Sequence, residues 1–235
     1  MTRKRFYLIA AVALLSVGLS SCGKDDNNGS DSNGSATVGE WVDLGLPSGL
    51  LWASHNVGAT NPEGYGDFFA WGETQPKSYY EWETYNLANG SFEQLTKYCS
   101  SASYGLNGYT DNLVTLEPAD DAAAFKVGGG ARIPTRADWN ELKEHTTSTW
   151  TTSNGVRGRL YTAPNGKSIF LPAAGTIWGS DHHYADSYGY YWSASLDAEE
   201  TYYAWCFYFN SGQEGGIDYN GRDDGMPVRA VRSAQ

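Results

Sequence analysis

Few residues of this 235-residue chain have types that could do chemistry, and their spacing decides how far each goes. The run Asp181-His182-His183-Tyr184-Ala185-Asp186 offers two imidazoles beside carboxylates, donors that suit a metal. Adjacent side chains in an extended segment point in different directions, so the pair does not chelate one ion. The run reads as an exposed recognition loop. Cys99 and Cys206 are either a disulfide of an oxidising compartment or two buried free thiols. Ser193 and Ser195 have no partner arrangement that would make either a nucleophile. His145 stands near the end of an expected helix, where a cation stabilises the C-terminus. With 27 acidic residues, no pair stands out as the positioned acids of a glycosidase. Asp223-Asp224 could lend oxygens to a structural calcium, the only cofactor the sequence suggests. These residues predict no catalytic constellation.

Binding chemistry is better represented. Between Tyr188 and Tyr219, 11 of 32 residues are aromatic, against 14% over the whole chain. Trp192, Trp205, Phe207 and Phe209 alternate as buried strand residues do and are expected in the core. Others fall out of that pattern, among Gly, Asp, Asn and Ser. Tyr184, Asp186, Tyr202, Tyr203, Tyr208, Asp218, Tyr219, Arg222 and Asp223 are expected to form one ligand-binding face, with Tyr219 and Arg222 exposed on it. Tyr gives rigid amphipathic contact area at low entropic cost, and the polar residues give adaptable contacts. The competing reading is a packed, tyrosine-rich sheet.

Such a face needs a scaffold, and turn chemistry outlines one. Asn-Gly pairs begin at Asn89, Asn107, Asn154, Asn165 and Asn220, each a hairpin or loop signal. Residues 41–44 and 50–54 flank Pro47-Ser48-Gly49 and read as a hairpin. Residues 160–162 and 168–171 flank Pro164-Asn165-Gly166 and read as another. Residues 205–209 form an aromatic strand, and residues 228–231 a final strand in which Arg229 alternates with apolar neighbours. Two helices are expected. One starts at Pro118, with Asp120 and Asp121 in its first turn, and stops at Gly128-Gly129-Gly130. The other opens at Thr135 with Asp138 three residues on, a capping box, and turns Trp139 and Leu142 to the core. Two main helices among short antiparallel strands and long loops predict an α+β fold.

The N-terminus predicts where the domain sits. Arg3, Lys4 and Arg5 precede a 14-residue apolar run at residues 6–19. That is short of the ~20 residues a helix needs to cross a bilayer, and it fits a signal peptide over residues 1–21. The run ends Leu19-Ser20-Ser21-Cys22, which resembles the lipobox of bacterial lipoproteins. This resemblance implies a diacylglycerol on the Cys22 sulfur, so that the mature chain is anchored to a membrane rather than spanning it. Lys24-Asp25-Asp26 is similar to the export signal of surface lipoproteins in Bacteroidetes, which implies display on the cell surface at the outer membrane. Residues 22–39, rich in Ser, Asn, Gly and Asp, read as a flexible tether, and residues 40–235 as a single domain. Loss of the three N-terminal basic residues takes the net charge from −11 to −14, which argues against nucleic acid as a partner.

The segments "WVDLGLPSGLLWASHNVGA", "YGDFFAWGET", "ARIPTRADWNEL", "NGKSIFLPAAG", "YGYYWSAS" and "GMPVRAVR" follow in order over residues 40–232. Together they resemble the Fibrobacter succinogenes major paralogous domain, a family widespread in surface lipoproteins of gut Bacteroidetes. The resemblance implies a C-type-lectin-like fold, related to the formylglycine-generating-enzyme domain, in which the first and last strands pair. It implies almost no chemistry. A formylglycine-generating enzyme would need two nearby cysteines for copper, whereas Cys99 and Cys206 lie far apart and only one is C-terminal. Calcium-dependent lectins use an acidic-Pro-Asn loop and a Trp-Asn-Asp strand, and the strand here reads Tyr191-Trp192-Ser193-Ala194-Ser195.

The C-terminal region is also similar to the variable region of diversity-generating retroelement proteins, which display altered residues on one face of such a fold. Glu199, Glu200, Gln213 and Glu214 are not products of a mutated asparagine codon. Taken together, these readings predict a surface-anchored protein that binds a glycan or a surface protein. The alternatives are a structural or adhesin component of a cell-surface assembly, and an enzyme on a formylglycine-generating-enzyme-like fold.

Overall fold

The computed structural model describes residues 37–234. Cys22, the expected signal peptide and most of the expected tether lie outside the described residues. Among the described residues the elements run β1 (Trp41–Asp43), β2 (Leu50–Asn56), β3 (Phe68–Phe69), α1 (Ala122–Val127), α2 (Arg136–His145), β4 (Thr147–Ser153), β5 (Val156–Thr162), β6 (Ser168–Pro172), β7 (Thr176–Trp178), β8 (Asp181–His183), β9 (Tyr188–Leu196), β10 (Tyr203–Asn210), β11 (Gln213–Gly221), β12 (Met226–Pro227) and β13 (Arg229–Ser233). All named strand pairs are antiparallel, in the orders β1-β2-β13, β11-β10-β9, β12-β3, β4-β5-β6 and β7-β8.

Both expected hairpins are present. β1 pairs with β2 around a turn in which the Gly49 amide donates to Leu46 O (2.9 Å) and Gly49 takes φ 67°, a conformation glycine adopts without strain. β5 pairs with β6 around Asn165-Gly166. The capping box of α2 also forms. The Asp138 amide donates to the Thr135 hydroxyl, and the Thr135 amide donates to the Asp138 carboxylate at 2.7 Å. Trp139 and Leu142 are buried, as expected.

The α+β, C-type-lectin-like expectation of two main helices does not hold. Strands take 40% and helix 11%, so the fold is β-rich. The first expected helix shows why. Asp121 lies outside the helix as its N-cap and accepts the amides of Ala123 and Ala124, so α1 starts at Ala122 rather than Pro118. Its other carboxylate oxygen accepts the Ile133 amide, which ties the cap to the chain beyond the helix. Gly128, Gly129 and Gly130 then hold φ of 68°, 60° and 78°, and α1 is over after 6 residues. A helix that short has no stability of its own and depends on its packing.

Strand order corrects a second expectation. The last strand pairs with β2, and β1 lies on the far side of β2, so the first and last strands share a sheet without touching ladders. Arg229 is buried rather than solvent-facing. Its guanidinium donates to Asn56 Oδ1 (2.9 Å), Ala53 O (3.0 Å), Ser54 O (3.0 Å) and Phe170 O (2.9 Å). Burial pushes its pKa down to about 10.

The β9-β10-β11 sheet lies between two apolar clusters. Trp192 and Cys206 join Trp71, Met226 and Val228 on one side, and Tyr191 and Phe207 join Trp52, Trp139 and Val231 on the other. Val38 belongs to the first cluster, so packed structure reaches into the stretch expected to be tether. Residues 70–121 contain no strand, only two short 3-10 turns and isolated bridges. Side chains hold this segment down instead. Tyr80 donates to Phe68 O, and Tyr85 donates to Trp71 O, both at 2.6 Å.

Candidate functional site

Register decides which aromatic side chains meet. In the β9–β10 ladder, Tyr188, Tyr190 and Trp192 lie opposite Asn210, Tyr208 and Cys206, on one face of the sheet. Tyr191 and Phe207 lie opposite each other on the other face. Trp192 and Cys206 sink into the core, which leaves the tyrosine end of the first face open. Ring centroids there are 5.1 Å apart for Tyr190–Tyr208, 5.8 Å for Tyr188–Tyr208 and 6.2 Å for Tyr188–Tyr190. Tyr184, 44% exposed on the turn before β9, lies 5.2 Å from Tyr188 and 6.4 Å from Tyr190. It also touches Trp178 at 5.6 Å, and His183 lies flat on Trp178 at 3.5 Å. Six rings from β7, β8, β9, β10 and one turn thus form a continuous surface.

That surface is polar but nearly uncharged. Burial pushes the Tyr190 and Tyr208 phenols up, with Asp218 adding to both, so they stay neutral. Burial pushes His183 below its ordinary value. The Asn210 amide donates to the Tyr208 hydroxyl at 2.5 Å. Asp218, exposed opposite Cys206 on the same face, contributes a carboxylate.

Tyr202, Tyr203 and Tyr219 form a different cluster. Tyr203 lies 4.3 Å from Tyr202 and 4.9 Å from Tyr219, and Tyr202 reaches Tyr104 at 4.9 Å and Phe92 at 5.2 Å. By alternation Tyr203 and Tyr219 stand on the sheet face opposite Tyr190 and Tyr208. The single expected face is therefore two, on opposite sides of one sheet. Asp186 belongs to neither. It accepts from the Tyr65 hydroxyl (2.8 Å), and burial together with this carboxylate pushes the Tyr65 phenol up to about 12.

Arg222 and Asp223 are not surface residues. Arg222 is fully buried, and its guanidinium donates to the Tyr85 hydroxyl (2.9 Å), Tyr98 O (3.1 Å), Thr201 O (2.8 Å) and Lys97 O (3.0 Å). It also stacks over Trp71 at 5.0 Å. Asp223 is buried next to it. Arg222 serves backbone carbonyls of irregular segments, a role composition does not reveal. Trp205 departs in the other direction. It is half-buried, with the Arg136 guanidinium 4.1 Å over its ring and Tyr219 against its edge. It shares the parity of Phe207 but lies beyond the reach of the Trp139 ring, which stacks on Phe207 at 4.7 Å.

His182 and His183 diverge as adjacent strand residues must. His182 bonds Ala174 O at 2.6 Å and packs on Phe68, while His183 packs on Trp178. Among the described residues no group of three or more His, Cys, Asp or Glu side chains could hold a metal ion. Cys99 and Cys206 are free, buried thiols. Burial and the nearby carboxylates of Asp218 and Asp224 push the Cys206 thiol well above its ordinary value. Ser193 is buried and accepts the Ser195 amide, and Ser195 accepts the Arg136 amide.

Tyr188, Tyr190 and Trp178 are the surface residues that sequence reasoning left out, while His183, expected in an exposed loop, stands in β8. Tyr188 and Tyr190 share the parity of the buried Trp192, so alternation gives no signal that they reach the surface. The chain matches no family model, no curated protein and no solved structure.

Proposed function

We propose that this chain is a lipid-anchored surface protein whose domain binds a glycan or a protein surface through the face of Tyr184, Tyr188, Tyr190 and Tyr208. One observation carries the binding reading: six aromatic rings in unbroken contact, at least partly exposed, three of them on a sheet whose opposite side is packed against α2. Core packing fixes the backbone beneath the rings, so a ligand meets a preorganised surface and little ordering entropy is lost on binding. Phenol rings offer both a face for stacking on sugar or apolar groups and a hydroxyl for hydrogen bonds. The anchor rests on the lipobox-like residues Leu19-Ser20-Ser21-Cys22 and the basic and apolar stretch before them. Membership of the Fibrobacter succinogenes major paralogous family is part of this proposal and rests on the sequence segments.

The binding face is tested by probing glycan and protein arrays with the chain, then comparing variants on each ligand found. Tyr184→Ala and Tyr208→Ala should each lose about 2 kcal/mol of binding, roughly thirtyfold in affinity. Their melting temperatures should stay close to that of the parent, because both side chains are partly exposed. If both bind at full strength while Tyr203→Ala or Tyr219→Ala does not, the site is the opposite face.

The anchor has its own test. Cys22→Ala should abolish labelling by a lipid probe and release the chain from the membrane fraction. Unchanged labelling and fractionation would rule the anchor out.

A further inference from the structure

An edge strand offers a row of unpaired N–H and C=O groups, and proteins usually block it. Most edges here carry a block. β1, β7 and β8 have 3 residues each, and β3 and β12 have 2. β6 is covered by side chains, with Arg229 donating to Phe170 O and Tyr191 to Pro172 O. β9 and β13 are met by bridges from Thr115 and Arg132. β11 carries Glu214 and Asp218, and its Gly215 takes φ 135°.

β4 has none of these devices. Its 7 residues, Thr147-Ser148-Thr149-Trp150-Thr151-Thr152-Ser153, pair with β5 in an unbroken register and occupy the end of their sheet. The strand contains no charge, no proline and no glycine. Outside the strand ladders, none of the described backbone hydrogen bonds involves it.

We propose that β4 is the pairing edge of a homodimer, in which two copies join β4 to β4 antiparallel about a two-fold axis at Trp150. The occupant is argued from the strand itself, which reads nearly alike in both directions from Trp150. In that register Thr149 faces Thr151 of the other copy, Ser148 faces Thr152, and Thr147 faces Ser153. Trp150 faces its own counterpart. Thr–Thr pairs are favourable cross-strand neighbours, and the contact rests on these and on the backbone ladder, since Ser148, Trp150 and Ser153 bond or pack within their own chain. A two-fold contact closes on itself, so pairing stops at two copies instead of running on into a fibre. The two three-stranded sheets become one sheet of six, a common size. For an acidic chain with net charge −11, β4 is also a long edge with no acidic residue in it, the Glu63 carboxylate being held by Ser153 and Asn154 at its end.

The test uses the full chain in a density-matched nonionic detergent, with mass read by sedimentation equilibrium. The parent should sediment as a reversible dimer. Thr149→Lys/Thr151→Lys places lysines opposite lysines across the axis, and Thr149→Glu/Thr151→Glu does the same with glutamates. Each variant alone should raise the dissociation constant at least about tenfold. An equimolar mixture should recover a 1:1 dimer, because every like pair becomes an opposite pair. In the parent, β4 amides should also exchange hydrogen more slowly as concentration rises, a reading that needs no variant. A parent that stays monomeric, or charged variants that dimerise as well as the parent, would overturn the proposal.

Discussion

Arg222→Ala is expected to cost the domain about 3 to 5 kcal/mol, the cost of removing a fully buried, hydrogen-bonded charge. The side chain joins four points that are remote in sequence: Tyr85, Lys97, Tyr98 and Thr201. Three of these contacts are backbone carbonyls of irregular segments, which have no strand partner to return to. Alanine leaves them buried with nothing to accept from, and each orphaned group costs about 1 to 3 kcal/mol when water cannot reach it. It also removes the cation packed on Trp71, Tyr85 and Tyr98. For a domain of this size the melting temperature should fall by about 10 °C. Arg222→Lys should recover less than half of the loss, since an ammonium cannot reproduce a planar set of donors. Tyr219→Ala, 49% exposed, should stay within about 0.5 kcal/mol of the parent. Calorimetric melting of the three variants checks this. An Arg222→Ala chain that melts with the parent would show that the loop carbonyls do not depend on the guanidinium.

Removing residues 228–235 should abolish folding altogether. β13 pairs with β2, and Val228, Ala230 and Val231 are buried in the two main clusters. The cut also removes Arg229, whose four hydrogen bonds reach β2 and β6. Deleting three buried apolar side chains alone costs several kcal/mol, a large share of the roughly 5 to 15 kcal/mol that stabilises a typical domain. β2 would lose one of its two ladders, and Trp52 would lose Val231, its partner in that register. The truncated chain should show no near-ultraviolet circular dichroism and no cooperative melting. A native near-ultraviolet spectrum from that chain would contradict the prediction.

Local chemistry was legible wherever a few neighbouring residues settle the outcome. The capping box at Thr135 and Asp138 forms, and so do the turns at Gly49 and Asn165-Gly166. Alternation correctly buried Trp192, Phe207 and Phe209. It failed at Trp205, because parity says which face a side chain takes and not what covers it there: the exposed Arg136 of α2 lies over Trp205, whereas the Trp139 ring covers Phe207. Alternation alone does not place Tyr188 and Tyr190: both share the parity of Trp192 yet stay partly exposed, Tyr190 at the margin of the cluster that buries Trp192.

The sequence by itself determined that the C-terminal third is an aromatic sheet, where its hairpins turn, and where α2 begins, because those features rest on contacts between residues a few positions apart. Only the tertiary structure decided that the tyrosines form two surfaces on opposite faces, that Arg222 and Arg229 lie inside, and that the fold is β-rich with one substantial helix. A guanidinium placed near a turn looks the same in sequence whether water or distant carbonyls take its five hydrogens. The carbonyls that take those of Arg222 belong to segments up to 125 positions away, and they need it because the irregular chain there has no ladder of its own.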